Sequence, residues 1–402
     1  MTDTDLTPND CSFCGKHKDA VGKLIVGDKV AICNECVTLC DTLLLSNQAQ
    51  GQTMIESHVD PMEIKQFLDQ YVIGQQDAKI VLSVAIANHY KRIRNQEKNT
   101  EIEKVNILML GPTGSGKTLL ARTVARYLGV PFVIADATSL TEAGYVGDDV
   151  ESVISRLYAA ADYDIERCQT GIVFIDEIDK IARRGENISI TRDVSGEGVQ
   201  QSLLKLVEGT KCRIVPHGGR KNPQNDTVEI DTTDILFIAG GAFVGIENLV
   251  KSRIKGTSIG FSVPVEQDPS VYLDSTTPDD IVKFGMIPEF VGRFPTWVSL
   301  RELTKQDLLA ILLNIKNNYI EQYQWLFDQD QIKLEFTSAA LDLVVEHAMK
   351  NKTGARGLHG ELERVLIPHM YRLREYVRQG ITEVVIDADM VYEPKELKKV
   401  NE

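Results

Sequence analysis

Val105-Asn106-Ile107-Leu108-Met109-Leu110-Gly111-Pro112-Thr113-Gly114-Ser115-Gly116-Lys117-Thr118-Leu119 decides the fold. An apolar run stops at a glycine, and the pattern G-x-x-x-x-G-K-T follows before helical periodicity resumes. The run predicts a buried parallel strand over 105–110. Gly111, Gly114 and Gly116 let backbone N–H groups turn inward, where they cradle phosphate oxygens at the positive end of the next helix. Lys117 brings a point charge to the terminal phosphates, and Thr118 brings a hydroxyl to Mg²⁺. A chance Gly-rich turn needs neither the strand before nor the helix after. The context therefore predicts an ATP site, with contacts from Gly111 through Leu119.

A second apolar run, Ile172-Val173-Phe174-Ile175, ends in Asp176-Glu177. Alone it could as well be a strand followed by a helix-capping Asp. Downstream of a phosphate loop, Asp176 is expected to hold Mg²⁺ through water and Glu177 to polarise the attacking water. Adjacent carboxylates in that place predict hydrolysis rather than binding alone.

Outward from these motifs, Val105–Leu110, Pro131–Ala135, Gly171–Asp176 and Asp234–Ala239 read as strands that alternate with helical patterns. That order predicts an α/β core, a parallel sheet with helices on both faces. Gln75–Asn95 reads as an amphipathic helix with Ile80, Val84 and Ala87 on one face. Beyond Arg301 helices dominate, at Gln306–Leu326, Ser338–Lys350 and Arg356–Tyr376, with strands at Ile332–Phe336 and Glu383–Ile386, which predicts a small α+β domain. Ser262–Asp280 has little periodicity and reads as an irregular insertion. The division expected is 1–46 cysteine-rich, 47–60 linker, 61–301 large ATPase domain and 302–402 small domain.

The chain has 402 residues and a formal net charge of −14, a poor balance for a nucleic-acid binder. Its first ten residues are polar and acidic, without a secretory pattern, and no apolar run is long enough to span a bilayer. A cytoplasmic protein with reduced thiols and no membrane partner is expected. There, clustered cysteines suggest metal before disulfide. Cys11-x2-Cys14 and Cys33-x2-Cys36 have the spacing of a four-thiolate zinc site, structural because no ligand position is left open. Cys40 and His17 could substitute, but the paired knuckles make the four named cysteines the better set. Cys168 and Cys212 are isolated and read as ordinary core or surface thiols.

Three further segments carry a family resemblance: Thr141-Glu142-Ala143-Gly144-Tyr145-Val146-Gly147, Ile190 through Gln201 (Ile-Thr-Arg-Asp-Val-Ser-Gly-Glu-Gly-Val-Gln-Gln), and Ile287-Pro288-Glu289-Phe290-Val291-Gly292-Arg293. Together with the zinc and phosphate motifs they resemble the ClpX family of AAA+ unfoldases, over nearly the whole chain from Cys11 to about Ile386. The resemblance implies a homohexameric ring with ATP between subunits. Arg293 would then reach a neighbour's γ-phosphate, Arg356 would serve as the small domain's sensor of phosphate, and Val72 and Ile73 would wall the adenine pocket. For either arginine the ordinary alternative is a surface salt bridge. For Val72 and Ile73 it is core packing.

The same resemblance assigns Tyr145 and Val146 to a pore loop that grips polypeptide. It places Arg192 and Ser195–Gly198 in a second such loop. Arg220-Lys221 would stand at the pore entrance, where Asn222 replaces the family's usual His. Ile259-Gly260-Phe261 would dock into ClpP, the partner peptidase, and the zinc module would receive adaptors and some tagged substrates. No protease constellation stands out in this chain, so cleavage is expected from the partner. Two rival functions remain open to the sequence: a nucleic-acid motor, against which the charge and the aromatic loop argue, and a remodelling chaperone that meets no peptidase.

Overall fold

The structure, a computed structural model, describes residues 9–27, 30–39, 59–94, 102–141, 148–183, 196–214, 227–257, 269–351 and 354–392. Two compact units separate, Met1–His58 and Val59–Glu402.

In the first unit, β1 (Leu24–Val26) pairs antiparallel with β2 (Ala31–Cys33), and a helical turn follows over 34–39. Its core is little more than Cys11, Cys33 and Cys36, with Val21, Leu24 and Ile32 packed on them. So small a cluster cannot offset the entropy of ordering the chain, and a metal must contribute.

The second unit is built on β3 (Ile107–Leu110), β4 (Phe132–Asp136), β7 (Ile172–Asp176), β10 (Leu236–Gly241) and β11 (Thr296–Ser299). Among the described residues these form one sheet in the order β11-β3-β10-β7-β4, every pair parallel. β3 and β10 are buried along their whole length, as expected of strands covered on both faces. The chain leaves β3 for the far edge at β4, returns through β7 and β10, and then crosses to β11. The order thus reverses beside β3, and the crevice at the carboxyl ends of β3, β10 and β7 is where such sheets bind ligands.

Smaller pairs decorate this core. β5 (Leu140–Thr141) pairs parallel with β6 (Asp148–Asp149), and β8 (Lys211–Ile214) pairs antiparallel with β9 (Val228–Asp231). Past the sheet, β12 (Lys333–Phe336) and β13 (Glu383–Ile386) pair in parallel within a separate core that includes Leu312, Phe327, Val344, Leu362 and Leu366. This is the predicted α+β domain.

The structure corrects several sequence expectations. Helix Gln76–Arg94 buries Ala87, but Ile80 is 48% and Val84 43% exposed. The buried face carries Lys79, Leu82, Ile86, His89 and Tyr90 instead. Apolar residues run more than halfway round this helix, so periodicity could not choose the face. The polar residues on the buried side are admitted because partners exist: Lys79 finds Asp69, and His89 Nε2 meets the Asp234 carbonyl at 3.1 Å. The single helix expected over 306–326 is two, Lys305–Leu313 and Tyr319–Asp328. Asn317 is left-handed at φ +59°, and the Asn318 side chain accepts from Glu321 N to start the second helix. Helix Ala355–Tyr371 likewise stops at Arg372 before Leu373–Arg378 begins. Strand β11 carries no apolar run in the sequence, because Thr296 and Ser299 stand at its two ends. Within the expected irregular insertion, Pro269–Asp274 and Pro278–Phe284 are helical, and 262–268 lie outside the described residues.

Candidate nucleotide and metal sites

The phosphate loop leaves β3 through three positive-φ glycines: Gly111 at +151°, Gly114 at +80° and Gly116 at +103°. Gly111 is required twice over, since a Cβ there would lie 2.6 Å from the Leu300 carbonyl oxygen. Helix Lys117–Leu128 follows at once and aims its N-terminal N–H groups at the loop. Lys117 Nζ donates to the carbonyls of Gly111 at 2.7 Å and Pro112 at 2.9 Å, so the loop wraps its own lysine. Burial lowers the Lys117 pKa. Asp176 and Asp179 oppose that, and the positive charge of Arg356 adds to it. Arg356, from the small domain, is thus close enough to be felt at the loop.

Thr118 Oγ1 donates to Asp176 Oδ2 at 3.0 Å, which brings the two expected Mg²⁺ ligands together across β3, β10 and β7. A hydroxyl and a carboxylate in contact are the oxygen donors a hard cation takes, with water completing its shell. Glu177 follows at φ +56°, left-handed, with its N–H donating to Asp176 Oδ1 at 3.0 Å and its side chain exposed. A non-glycine residue held in that conformation points to a constraint worth its cost, on the order of 1 kcal/mol.

Sequence reasoning missed Asp179, which lies in the 3-10 turn Ile178–Ile181. Its buried carboxylate accepts from Ala242 N at 3.1 Å and so ties the end of β7 to the end of β10. It stands just past the carboxylate pair, and a third acid there carried no motif of its own. The sequence offered no polar residue at the β10 tip, and packing explains why. A Cβ at Gly240 would lie 2.7 Å from Phe174 Cζ, and one at Gly241 would lie 2.6 Å from Phe243 Cε2. Backbone does the work there instead, with Gly111 N donating to Gly241 O at 3.2 Å.

A cavity of about 300 Å³ opens beside the loop. Val72, Ile73 and Leu119 wall it from the large domain, and Ile311, Ile315 and Tyr319 wall it from the small one. The volume and apolar lining suit a heterocyclic base. The small-domain wall exists because the helix breaks at 314–318, which is why the sequence did not reveal it. Beneath Val72, the fully buried Lys79 Nζ donates to the Val72 carbonyl at 2.6 Å and to Asp69 Oδ1 at 2.7 Å. Burial pushes the Asp69 carboxyl up, but hydrogen bonds from Lys65 and Lys79 hold it below its usual range. Gly354, at φ +57°, approaches the loop so closely that a Cβ would lie 3.2 Å from Gly114 Cα, and Arg356 sits two residues on.

Arg293 is not brought to this site. It ends helix Pro288–Gly292, its carbonyl accepts from Asn106 Nδ2 at 3.0 Å, and Asn106 precedes β3. That is the amino end of the sheet, opposite the phosphate loop. Its guanidinium pairs with Glu208 at 2.7 Å, and the side chain is 54% exposed. Buried Gln200 fixes the helix that carries it, accepting from Ile287 N and donating to Ile181 O, both at 2.8 Å.

Tyr145, Val146, Arg192, Arg220, Lys221, Asn222, Ile259, Gly260 and Phe261 lie outside the described residues. Strands β5 and β6 flank the segment with Tyr145, and β8 and β9 flank the one with Arg220.

In the first unit the sulfurs of Cys11, Cys14, Cys33 and Cys36 all lie within 4.8 Å of one another. Cys11 to Cys36 is 3.9 Å and Cys14 to Cys33 is 3.7 Å. The edge of a tetrahedron with Zn–S bonds of about 2.3 Å is about 3.8 Å, so the set fits Zn²⁺. Amides already point at the sulfurs: Cys33 N donates to Cys11 Sγ at 3.3 Å, and Cys36 N to Cys33 Sγ at 3.4 Å. For Cys11 burial works against the thiolate, but the N–H groups of Cys14, Cys33 and Phe13 bring its pKa down to about 6. Burial and hydrogen bonds from the other three sulfurs push Cys36 up. Such a cluster keeps protons it would shed to a divalent cation. His17 takes no part: its Nδ1 lies 3.2 Å from Asp19. Replacing Cys33 with serine is expected to drop bound zinc from about one per chain to below about 0.1 and to strip amide-exchange protection from residues 11–36, since metal binding is the folding energy of so small a module. Protection that survives without metal would remove zinc from its structural role.

Comparison with known proteins agrees with this geometry. Residues 9–45 match the ClpX C4-type zinc finger, 102–297 the AAA domain (Cdc48 subfamily), and 303–383 the C-terminal, D2-small domain of ClpB protein. The chain is 49% identical over 389 residues to the ATP-dependent Clp protease ATP-binding subunit ClpX of Treponema denticola, covering 95% of this chain and 93% of that one. No helix among the described residues is long and apolar enough to cross a membrane. With a phosphate loop, a carboxylate pair, a two-domain cavity and a four-sulfur knuckle in one chain, and that identity along nearly its whole length, this protein belongs to the ClpX family of AAA ATPases.

Proposed function

We propose that this chain is the ATP-driven unfolding subunit of a Clp-type protease. It would assemble as a homohexameric ring in the cytoplasm, recognise exposed tags, and thread polypeptide through its pore into ClpP. The same subunit would remodel proteins when no peptidase is docked. The observation that carries the reading is the cavity shared by two domains: events at the phosphate loop there can alter the angle between them. The likeness to a named Clp protease subunit supports the peptidase partnership.

The division of labour follows from the site. Gly111–Thr118 wrap the phosphates, with Lys117 exchanging its loop carbonyls for phosphate oxygens. Val72, Ile73 and Leu119 hold the base. Thr118 and Asp176 would hold Mg²⁺, which neutralises charge on the β and γ phosphates. Glu177 orients the attacking water and takes its proton. Arg356 meets phosphate from its own small domain, and Arg293 meets that of a neighbour. Tyr145, Val146 and Arg192 would grip the chain in the pore, with Arg220 and Lys221 drawing in its carboxylate end. Ile259, Gly260 and Phe261 would seat the ring on the peptidase, and the zinc module would collect adaptors. The domains carrying these tasks are 1–46, 61–301 and 302–402, joined at the first boundary by a linker over 47–60.

A folded fluorescent reporter with an unstructured C-terminal tail, mixed with this protein, ATP, Mg²⁺ and a ClpP-type peptidase, is expected to lose its native signal. The loss should require ATP, the tail and Glu177. Hydrolysis with persistent fluorescence across several tails would overturn the unfolding assignment.

A further inference from the structure

The large and small domains are joined by one covalent crossing, from Ser299 at the end of β11 to Lys305 at the next helix. A side chain from elsewhere seizes this crossing. Gln75 Nε2 donates to the Arg301 carbonyl at 2.8 Å, and Arg301 N donates back to Gln75 Oε1 at 2.9 Å. The second N–H of the same carboxamide reaches the Ser115 carbonyl, in the phosphate loop, at 3.3 Å. One amide therefore pairs with both backbone groups of a crossing residue and with the loop that holds phosphate.

The backbone is bent to make this possible. Gly74 and Gln75 are both left-handed, at φ +65° and +54°. For a residue with a Cβ that is an unfavourable conformation, and the three hydrogen bonds are what it secures. Neighbouring contacts run the same way. Lys316 N, at the small-domain wall of the cavity, donates to the Gln70 carbonyl at 2.8 Å, and Gly111 lies against Leu300. Segment 70–75 thus touches the small domain at one end and binds the crossing to the loop at the other.

We propose that Gln75 is a positioning residue that makes the phosphate loop and the interdomain crossing move as one piece, so that nucleotide state at the loop sets the small-domain angle. It contacts no expected reacting atom and acts through Ser115 and Arg301. The inference rests on the loop being the ATP site.

Two variants separate the side chain from the strain. Gln75→Gly adopts φ +54° freely and removes the tie. Gln75→Glu keeps the shape but cannot donate to either carbonyl. Full-length chain, labelled at exposed Lys205 and Tyr371 and diluted into unlabelled subunits, reports the interdomain distance by energy transfer. In the native protein the transfer efficiency is expected to differ between ADP and ATPγS. In both variants that difference should vanish, while fluorescent-nucleotide affinity stays within about threefold. ATP turnover should fall about five- to tenfold at unchanged KM, as when a group that positions the reacting loop, and neither binds nor reacts, is removed. A merely structural role would instead lower the melting point of Gln75→Gly and leave the distance change intact. Retention of the change in both variants, with turnover within about twofold of native, overturns the proposal, as does its absence in the native protein once nucleotide is bound. If native protein binds no fluorescent nucleotide, the reading of the ATP site falls, and the inference falls with it.

Discussion

Glu177→Gln is expected to bind ATP within about threefold of the native affinity and to hydrolyse it about a hundred- to a thousandfold more slowly. The exposed Glu177 side chain takes no part in holding the loop: its anchor is the backbone N–H given to Asp176 Oδ1. Glutamine keeps the shape, the reach and that anchor, so Thr118 and Asp176 should stay in contact and phosphate binding should survive. What is lost is the basic oxygen that receives a proton from water. Steady-state hydrolysis alongside a fluorescent-nucleotide titration separates the two effects. Near-native turnover would take Glu177 out of the chemistry. Loss of binding would mean that the carboxylate itself helps to hold nucleotide, since the backbone anchor at 177 is unchanged in this variant.

Arg293→Ala is expected to lower ATP turnover about a thousandfold, the usual scale when a guanidinium is removed from phosphoryl transfer. The fold gives this prediction its form. Arg293 stands at the amino end of β3, and the phosphate loop stands at the carboxyl end, so the arginine cannot serve its own site. Its present partner is Glu208 in a surface pair, an interaction cheap to exchange for phosphate. Mixing Arg293→Ala with Glu177→Gln should therefore restore activity that neither has alone. In a randomly mixed ring at equal proportions, about one interface in four pairs an intact Glu177 with a neighbour's intact Arg293, so about a quarter of native turnover is the ceiling. No recovery at any ratio would overturn the intersubunit site. An isolated native subunit that turns over ATP without forming a ring, and loses that turnover on Arg293→Ala, would overturn it as well.

Chemistry that each half announces by its own motif is legible in the sequence, and contacts between residues that carry no motif are not. The strands at 107–110, 132–136, 172–176 and 236–241 stand where unbroken apolar runs predicted them, because a strand buried on both faces leaves no room for polar alternation. Thr118 and Asp176, 58 residues apart, were paired by motif and meet at 3.0 Å. The zinc knuckles announced themselves by spacing. By contrast, Gln75 lies 226 residues from Arg301, and nothing in either residue advertises the other. Ile311 and Ile315 were absorbed into one long helical pattern, although the chain turns at Asn317-Asn318 to swing Ile315 and Tyr319 onto the cavity. On helix 76–94 apolar residues are too plentiful to reveal the buried side, and the burial of Lys79 has no local signal because its partners, Asp69 and Val72, lie on the preceding segment.

Because one cavity is walled by Val72, Ile73 and Leu119 on one side and by Ile311, Ile315 and Tyr319 on the other, a base lodged in it is also a bolt between two bodies. Binding free energies are reciprocal: if the base resists opening by some factor, a pull that opens the crossing weakens the base's hold by that same factor. Mechanical load on the small domain would then be converted into nucleotide lifetime. A subunit straining against a stubborn polypeptide would shed its spent nucleotide at a rate set by the stiffness of what it is pulling, with no separate sensor of force.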